Sequence, residues 1–221
     1  VEKTERQTEP GRRRRDRRRE IMRAAKAVFI ERGYTGASTD AIVERSGGSK
    51  ETIYTHFGSK LGLFRAILLE QIDRLFAWDG DFDAGSAEQM LLAAGNSFAR
   101  AVDDELLHLG RIVAGEMDRI PDLAAQLGEV GRDELSAQIA RALARRQQCG
   151  NFPPADTGAL AEAFLDLLSG PLFLRPLFDP AQRLTPAKAE AHVRTCVAAV
   201  MRLATPIPGV PPFSAAPLGP A

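Results

Sequence analysis

The sequence predicts an all-α protein of about nine helices: three short ones near the N-terminal end, a connector, and a bundle of about five. Three observations predict it. Apolar residues recur at i, i+3, i+4 and i+7 through most of the chain, no run alternates like a half-buried strand, and Gly, Ser and Pro punctuate the pattern at helix-length intervals. With 221 residues the chain has ample length for a buried core.

The first 19 residues carry almost no apolar side chains, and seven arginines fill the eight positions 12–19, interrupted by Asp16. Such a segment buries too little surface to offset its ordering entropy, so residues 1–19 are predicted to be a disordered arm. From Ile21 the pattern becomes helical: Ile21, Ala24, Ala25, Val28 and Phe29 share a face and Gly33 is a stop. Ser38 or Thr39 then offers an N-cap, Asp40 suits the first turn, Ile42 and Val43 supply apolar contacts, and Gly47 ends a short second helix. Ser49 caps a third that runs to about His56, with Ile53 and Phe57 on one side. Gly58 breaks it, and Ser59 caps a fourth in which Leu61, Phe64, Ile67, Leu68, Ile72 and Phe76 recur.

Five more helices follow at larger scale. Ala87, Met90, Leu91, Ala94, Phe98 and Ala101 mark one; Leu109, Ile112, Val113 and Met117 mark another that stops before Pro121. Leu123, Leu127, Val130, Leu135, Ile139 and Leu143 predict a long helix opened by that proline. Leu160, Ala163, Phe164, Leu167 and Leu168 keep strict helical spacing until "SGPLFLRPLFDP" interrupts, and Val193, Cys196, Val197, Val200, Met201 and Ala204 repeat it in the last helix. The tail from Pro206 is rich in proline and is predicted to be disordered. The expected domains are therefore an arm (1–19), a three-helix head (20–64), a helical body (65–205) and a tail (206–221).

The charge is divided between these parts. The 29 basic and 29 acidic side chains cancel over the whole chain, yet residues 1–60 hold 15 Lys and Arg against 9 Asp and Glu. A basic head on an acidic body is expected when one end meets a polyanion. Cys149 and Cys196 are far apart in a chain too large to need stapling, so both read as packing residues in a reducing, cytoplasmic setting. No run of about 20 uncharged apolar residues stands out as a membrane span. His56, His108 and His192 show no metal-ligand spacing, and neither a phosphate loop nor a nucleophile elbow is present, which argues against an enzyme and against a metal or cofactor.

Two short helices joined by a tight glycine turn form the helix-turn-helix arrangement, whose second helix enters the DNA major groove. Lys50 and Lys60 follow the caps Ser49 and Ser59 directly, at the helix end where the dipole disfavours a cation by roughly 0.3–1 kcal/mol. A phosphate reverses that sign, because free amides, dipole and ammonium then attract the same anion. At 100° per residue, Ile53 and Phe57 define the buried side of the third helix, which turns Glu51, Thr52 and Thr55 toward the groove and leaves Tyr54 and His56 on its flanks. The arm could add phosphate contacts or enter the minor groove.

The stretch "GYTGASTDAIVERSGGSKETIYTHFGSKLGLF", Gly33 to Phe64, resembles the DNA-binding signature of TetR-family transcriptional regulators, preceded by an amphipathic first helix. The resemblance implies that Lys50, Tyr54, His56 and Lys60 hold phosphates, that Thr39 assists at the start of the second helix, and that exposed residues of the third read bases of double-stranded DNA. It further implies a homodimer paired through the last two helices, where Leu167 and Val200 lie on the apolar stripes. A pocket in the body for a small, hydrophobic effector is implied as well, with Phe98, His108, Glu116, Met117 and Phe164 as candidate lining. The reading is a ligand-responsive, sequence-specific regulator, most simply a repressor on a palindromic operator; the competing reading is a sequence-blind architectural DNA binder. One position departs from the pattern: Gly48 stands where the family has a small apolar residue packing the turn, which is expected to loosen the reading helix.

Overall fold

The computed structural model describes residues 9–78, 80–116, 118–120, 132–205 and 213–214. Nine helices and no strand occur among them. They are α1 (Glu9–Gly36), α2 (Thr39–Ser46), α3 (Lys50–Phe57), α4 (Lys60–Phe76), α5 (Ala87–Ala101), α6 (Asp104–Glu116), α7 (Arg132–Gln148), α8 (Thr157–Phe178) and α9 (Pro186–Leu203). α8 is counted as one rod although its backbone changes on the way. Regular over Thr157–Ser169, it widens to a π-turn over Gly170–Leu174 and resumes over Arg175–Phe178. Pro171 has no N–H to continue the ladder, and the Arg175 N–H reaches back to the Gly170 carbonyl instead. The "SGPLFLRPLFDP" stretch thus alters the helix rather than ending it at Ser169.

The chain divides into two compact units, Val1–Gln71 with His108–Leu127 and Ile72–Leu107 with Gly128–Ala221. The divisions fall inside α4 and inside α6, so the head unit extends past residue 64 and takes in the second half of α6. Its core is built from Ile21, Ala25, Val28 and Phe29 of α1, Ile42 of α2, Ile53 of α3, Leu63, Phe64 and Ile67 of α4, and Leu109 of α6. Phe29, Tyr34 and Phe64 form a ring cluster with centroids 4.8–5.9 Å apart. Stacked and tilted aromatic pairs of this kind add stabilisation beyond their buried area.

In the bundle unit α7 packs on α8, α5 on α9, and α8 on α9. Their facing sides bury Met90, Leu91, Phe98, Ile139, Leu143, Leu160, Phe164, Leu168, Val193, Cys196, Val197 and Val200. Gly95 permits the closest approach: a Cβ there would lie 2.6 Å from Val193 Cγ1 and 3.3 Å from the Phe164 ring. Arg146, buried among these helices, donates to the carbonyls of Phe82, Ala84 and Gly85 and so fastens the α4–α5 loop onto α7.

Several sequence expectations change here. α1 begins at Glu9, so residues 9–19 of the expected arm are helical; Gly33, at φ 69°, marks the break where a stop was expected. Residues 1–8, the segment 121–131 that was expected to open α7, and the tail residues 206–212 and 215–221 lie outside the described residues. Ser214, by contrast, donates to Asp156 at 3.1 Å. Cys196 packs as expected, its thiol pushed up to about 11 by burial, whereas Cys149 is exposed. α8 is long and apolar enough to cross a membrane by length and composition. Its apolar residues Leu160, Phe164, Leu165 and Leu168 are buried in the bundle core, which accounts for that composition.

Candidate nucleic-acid interface

The reading helix is placed by its caps. Ser38, not Thr39, accepts from the Ala41 N–H at 3.1 Å and starts α2, and the Gly47 N–H closes it on the Val43 carbonyl. Ser49 accepts from the Thr52 N–H at 3.2 Å and starts α3; Gly58 ends it on the Tyr54 carbonyl. Each Ser cap satisfies an amide that the helix leaves orphaned. Ile53 is buried, pinning one side of α3 to the head core, and Glu51, Tyr54 and Thr55 are exposed. Thr52 and His56 are half-buried between them, and Thr52 shares a 3.1 Å hydrogen bond with Ser49. Of the face opposite Ile53, Glu51 and Thr55 are open as expected, Thr52 is partly covered, and Tyr54 is more exposed than its flanking position suggested.

The two lysines differ. Lys50 is exposed and pairs with Asp40 at 2.7 Å, which raises its ammonium pKa and offsets the unfavourable dipole in the free chain. Lys60 instead turns back into the head. It donates to the Tyr34 carbonyl at 2.8 Å and the Ala37 carbonyl at 2.9 Å, and sits 4.5 Å from the centre of the Tyr34 ring. Its place after Ser59 thus has an intramolecular explanation that helix-dipole reasoning alone missed. Lys60→Met is expected to lower head stability by about 1.5–3 kcal/mol, the usual range for charged hydrogen bonds. Thermal unfolding would register this; an unchanged Tm with weakened DNA binding would return Lys60 to the phosphate contacts.

Arginines of α1 approach the same surface. Arg17 donates to the Ser46 carbonyl at 2.8 Å and to the Gly47 carbonyl, and Arg18 lies 5.2 Å from the centre of the Phe57 ring. His56 has its pKa lowered, first by burial and then by Arg14, Arg18 and Arg17. Thr39 is half-buried in the first turn of α2. Its hydroxyl remains a candidate at the start of that helix, while Ser49 has a demonstrated structural duty as a cap.

The residues expected to line an effector site divide between the two units. Phe98 and Phe164 are buried in the bundle core, His108 and Glu116 belong to the head unit, and Met117 lies outside the described residues. Glu116 accepts from Thr35 at 2.8 Å and from Arg119 at 3.1 Å, with the Thr35 bond leading in the lowering of its carboxyl pKa. It ties α6 to the end of α1. A cavity of about 460 Å³ in the bundle unit is walled by other side chains, among them Asn96, Arg100, Asp103, Leu172, Arg183 and Glu190. Nothing in the helical periodicity could have located it, because its walls come from the end of α5, the π-turn of α8, the α8–α9 loop and the start of α9.

Comparison with known proteins agrees with this geometry. Residues 21–67 match the family described as bacterial regulatory proteins, tetR family, and residues 89–203 match the AefR-like transcriptional repressor C-terminal domain. The chain is similar to the HTH-type transcriptional activator FasR of Mycolicibacterium smegmatis, with 45% identity over 60 residues, 27% of each chain. It is also similar to the HTH-type transcriptional repressor AcnR of Corynebacterium glutamicum, with 40% identity over 58 residues, 26% of this chain and 31% of that protein. These matches thus span between about a quarter and a third of the relatives' own length. The crystal structure of a TetR-family transcriptional regulator from Mesorhizobium loti superposes with a TM-score of 0.75 and 27% identity, covering 86% of this chain and 98% of that one. With both its head and more than half of its length matched to family profiles, the chain belongs to the TetR family of bacterial transcriptional regulators.

Proposed function

We propose that the chain is a sequence-specific, ligand-responsive repressor that binds a palindromic operator as a homodimer in the cytoplasm. One observation carries the reading: α3 is capped at its start and pinned through Ile53, and it presents Glu51, Tyr54 and Thr55 outward. That is a rigid helix with hydrogen-bonding groups free for base edges. The dimer is supported by the exposed apolar side chains Leu167, Leu174 and Phe178 on α8 and Leu203 on α9. The bundle cavity, with Leu172 and Leu184 beside Arg100 and Arg183, suits a small effector with an apolar body and a polar or charged end.

The test is fluorescence anisotropy on a duplex enriched by the protein from random DNA, against a shuffled duplex of the same composition. A specific regulator prefers the first by at least about a thousandfold. Equal, salt-sensitive binding to both would instead favour a sequence-blind architectural binder.

His56 adds a pH dependence. Burial and the neighbouring arginines lower its pKa, so it is neutral at pH 7 in the free chain, and acidification below its ordinary pKa costs the folded protein stability. Nearby phosphates offset the arginines, so binding takes up a proton and affinity rises as pH falls from about 7.5 toward about 6, by at most about one proton per head. His56→Gln is expected to flatten this trend, and an unchanged slope would place His56 away from the phosphates.

A further inference from the structure

We propose that Arg17 is the positioning residue of the helix-turn-helix, and that Gly48 is the opening that admits it. This deepens the DNA-reading assignment above and rests on it.

The turn between α2 and α3 has an unusual tenant. Arg17 reaches from the Arg-rich turns of α1 across to the end of α2, where Nη1 donates to the Ser46 carbonyl at 2.8 Å and Nη2 donates to the Gly47 carbonyl. Carbonyls at a helix C-terminus lack intrahelical partners and carry the negative end of the dipole, so a guanidinium fork there meets two needs at once. Glu20, one turn further along α1, accepts from Nη1 at 2.9 Å and steadies the fork. The side chain is only partly exposed, unlike its arginine neighbours.

Gly48 completes the arrangement. A Cβ at this position would lie 2.4 Å from Arg17 Nη2, and the residue adopts φ +88°, where L side chains are strained. In this chain a charged fork on backbone carbonyls occupies the space that a side chain at this position would take. The geometry carries a consequence for reading DNA. The Arg17 bonds fix the carbonyls two and three residues before the Ser49 cap, and hence the direction in which α3 leaves the turn with Glu51, Tyr54 and Thr55.

A phosphate-contacting arginine and a positioning arginine predict different binding data, which the full-length protein can supply with the enriched and shuffled duplexes over a salt series. Arg17→Ala is expected to lower affinity for the enriched duplex about tenfold while changing the shuffled duplex little, with the salt slope kept. Arg17→Lys keeps the charge but loses the two-carbonyl fork, and is expected to lose specificity as Ala does. Gly48→Ala should expel the guanidinium and reproduce the loss, and it should cost less in an Arg17→Ala background than in the wild type. Unchanged discrimination in Arg17→Ala overturns the proposal. So does equal weakening on both duplexes with a slope reduced by about 0.9 per head, the signature of a direct phosphate contact. A wild-type protein with no preference between the duplexes overturns the regulator reading first, and this one with it.

Discussion

Leu167→Glu combined with Leu174→Glu is expected to yield a folded monomer that no longer binds its operator tightly. The two leucines and Phe178 are the large apolar side chains that α8 leaves exposed, at 40%, 47% and 78%. Charges placed there spare the subunit core, which is filled by the buried Leu160, Phe164 and Leu168 and not by these exposed side chains. Across a two-fold interface the same charges face their own copies in a desolvated apolar patch, which is strongly unfavourable. Separating the heads removes the effective concentration that couples two half-sites, a loss of about 10²–10⁴ in affinity. Light scattering would report the mass and anisotropy the binding. A dimer that survives both charges would move the interface off α8. Val200, the partner residue suggested by sequence periodicity, is unsuitable for this test: it is wholly buried in the bundle core, and a charge there would unfold the subunit.

The difference between Leu167 and Val200 shows what periodicity can and cannot supply. Both stand on apolar stripes, and spacing alone reports that a face is apolar without saying whether it meets its own chain or another. The same limit explains Phe98 and Phe164. Large apolar groups read alike whether they wall a cavity or fill a core, and here both are core. Local signals did far better. Ser38, Ser49 and Ser59 cap helices as their positions before apolar runs demand, because a cap interacts only with amides two or three residues away.

Long-range partners were the blind spot. Arg146 is held by the carbonyls of Phe82, Ala84 and Gly85, more than 60 residues earlier, and nothing beside it in the sequence marks it as buried. Poverty in apolar surface alone makes the Arg-rich stretch read as disordered. Arginine is nevertheless a good helix former, Asp16 pairs with Arg12 and Arg19 one turn away on either side, and Arg17 is anchored to the turn at Ser46. Gly48 looked like a weakness for the same reason: the group that fills its space lies 31 residues upstream.

The reading face itself supplies the second large effect. Thr55→Ala is expected to relax sequence preference, and Lys50→Ala to weaken every duplex alike. Thr55 is exposed on the side of α3 opposite Ile53, where a hydroxyl and a methyl can meet a base edge. A good base contact is worth about 1–3 kcal/mol of discrimination, and because a two-fold dimer makes it twice, the operator-to-shuffled ratio should fall by about 2–6 kcal/mol. Lys50 lies at the N-terminal end of α3 and pairs with Asp40 at 2.7 Å in the free chain. If it then transfers to phosphate, its loss reduces the salt slope by about 0.9 per head and spares the ratio. Asp40 supplies the sign check, since it competes with phosphate for the same ammonium: Asp40→Asn should tighten binding to both duplexes. Weaker binding in Asp40→Asn would mean that the pair with Lys50 orients the helix start, and that the phosphate contact belongs to another residue.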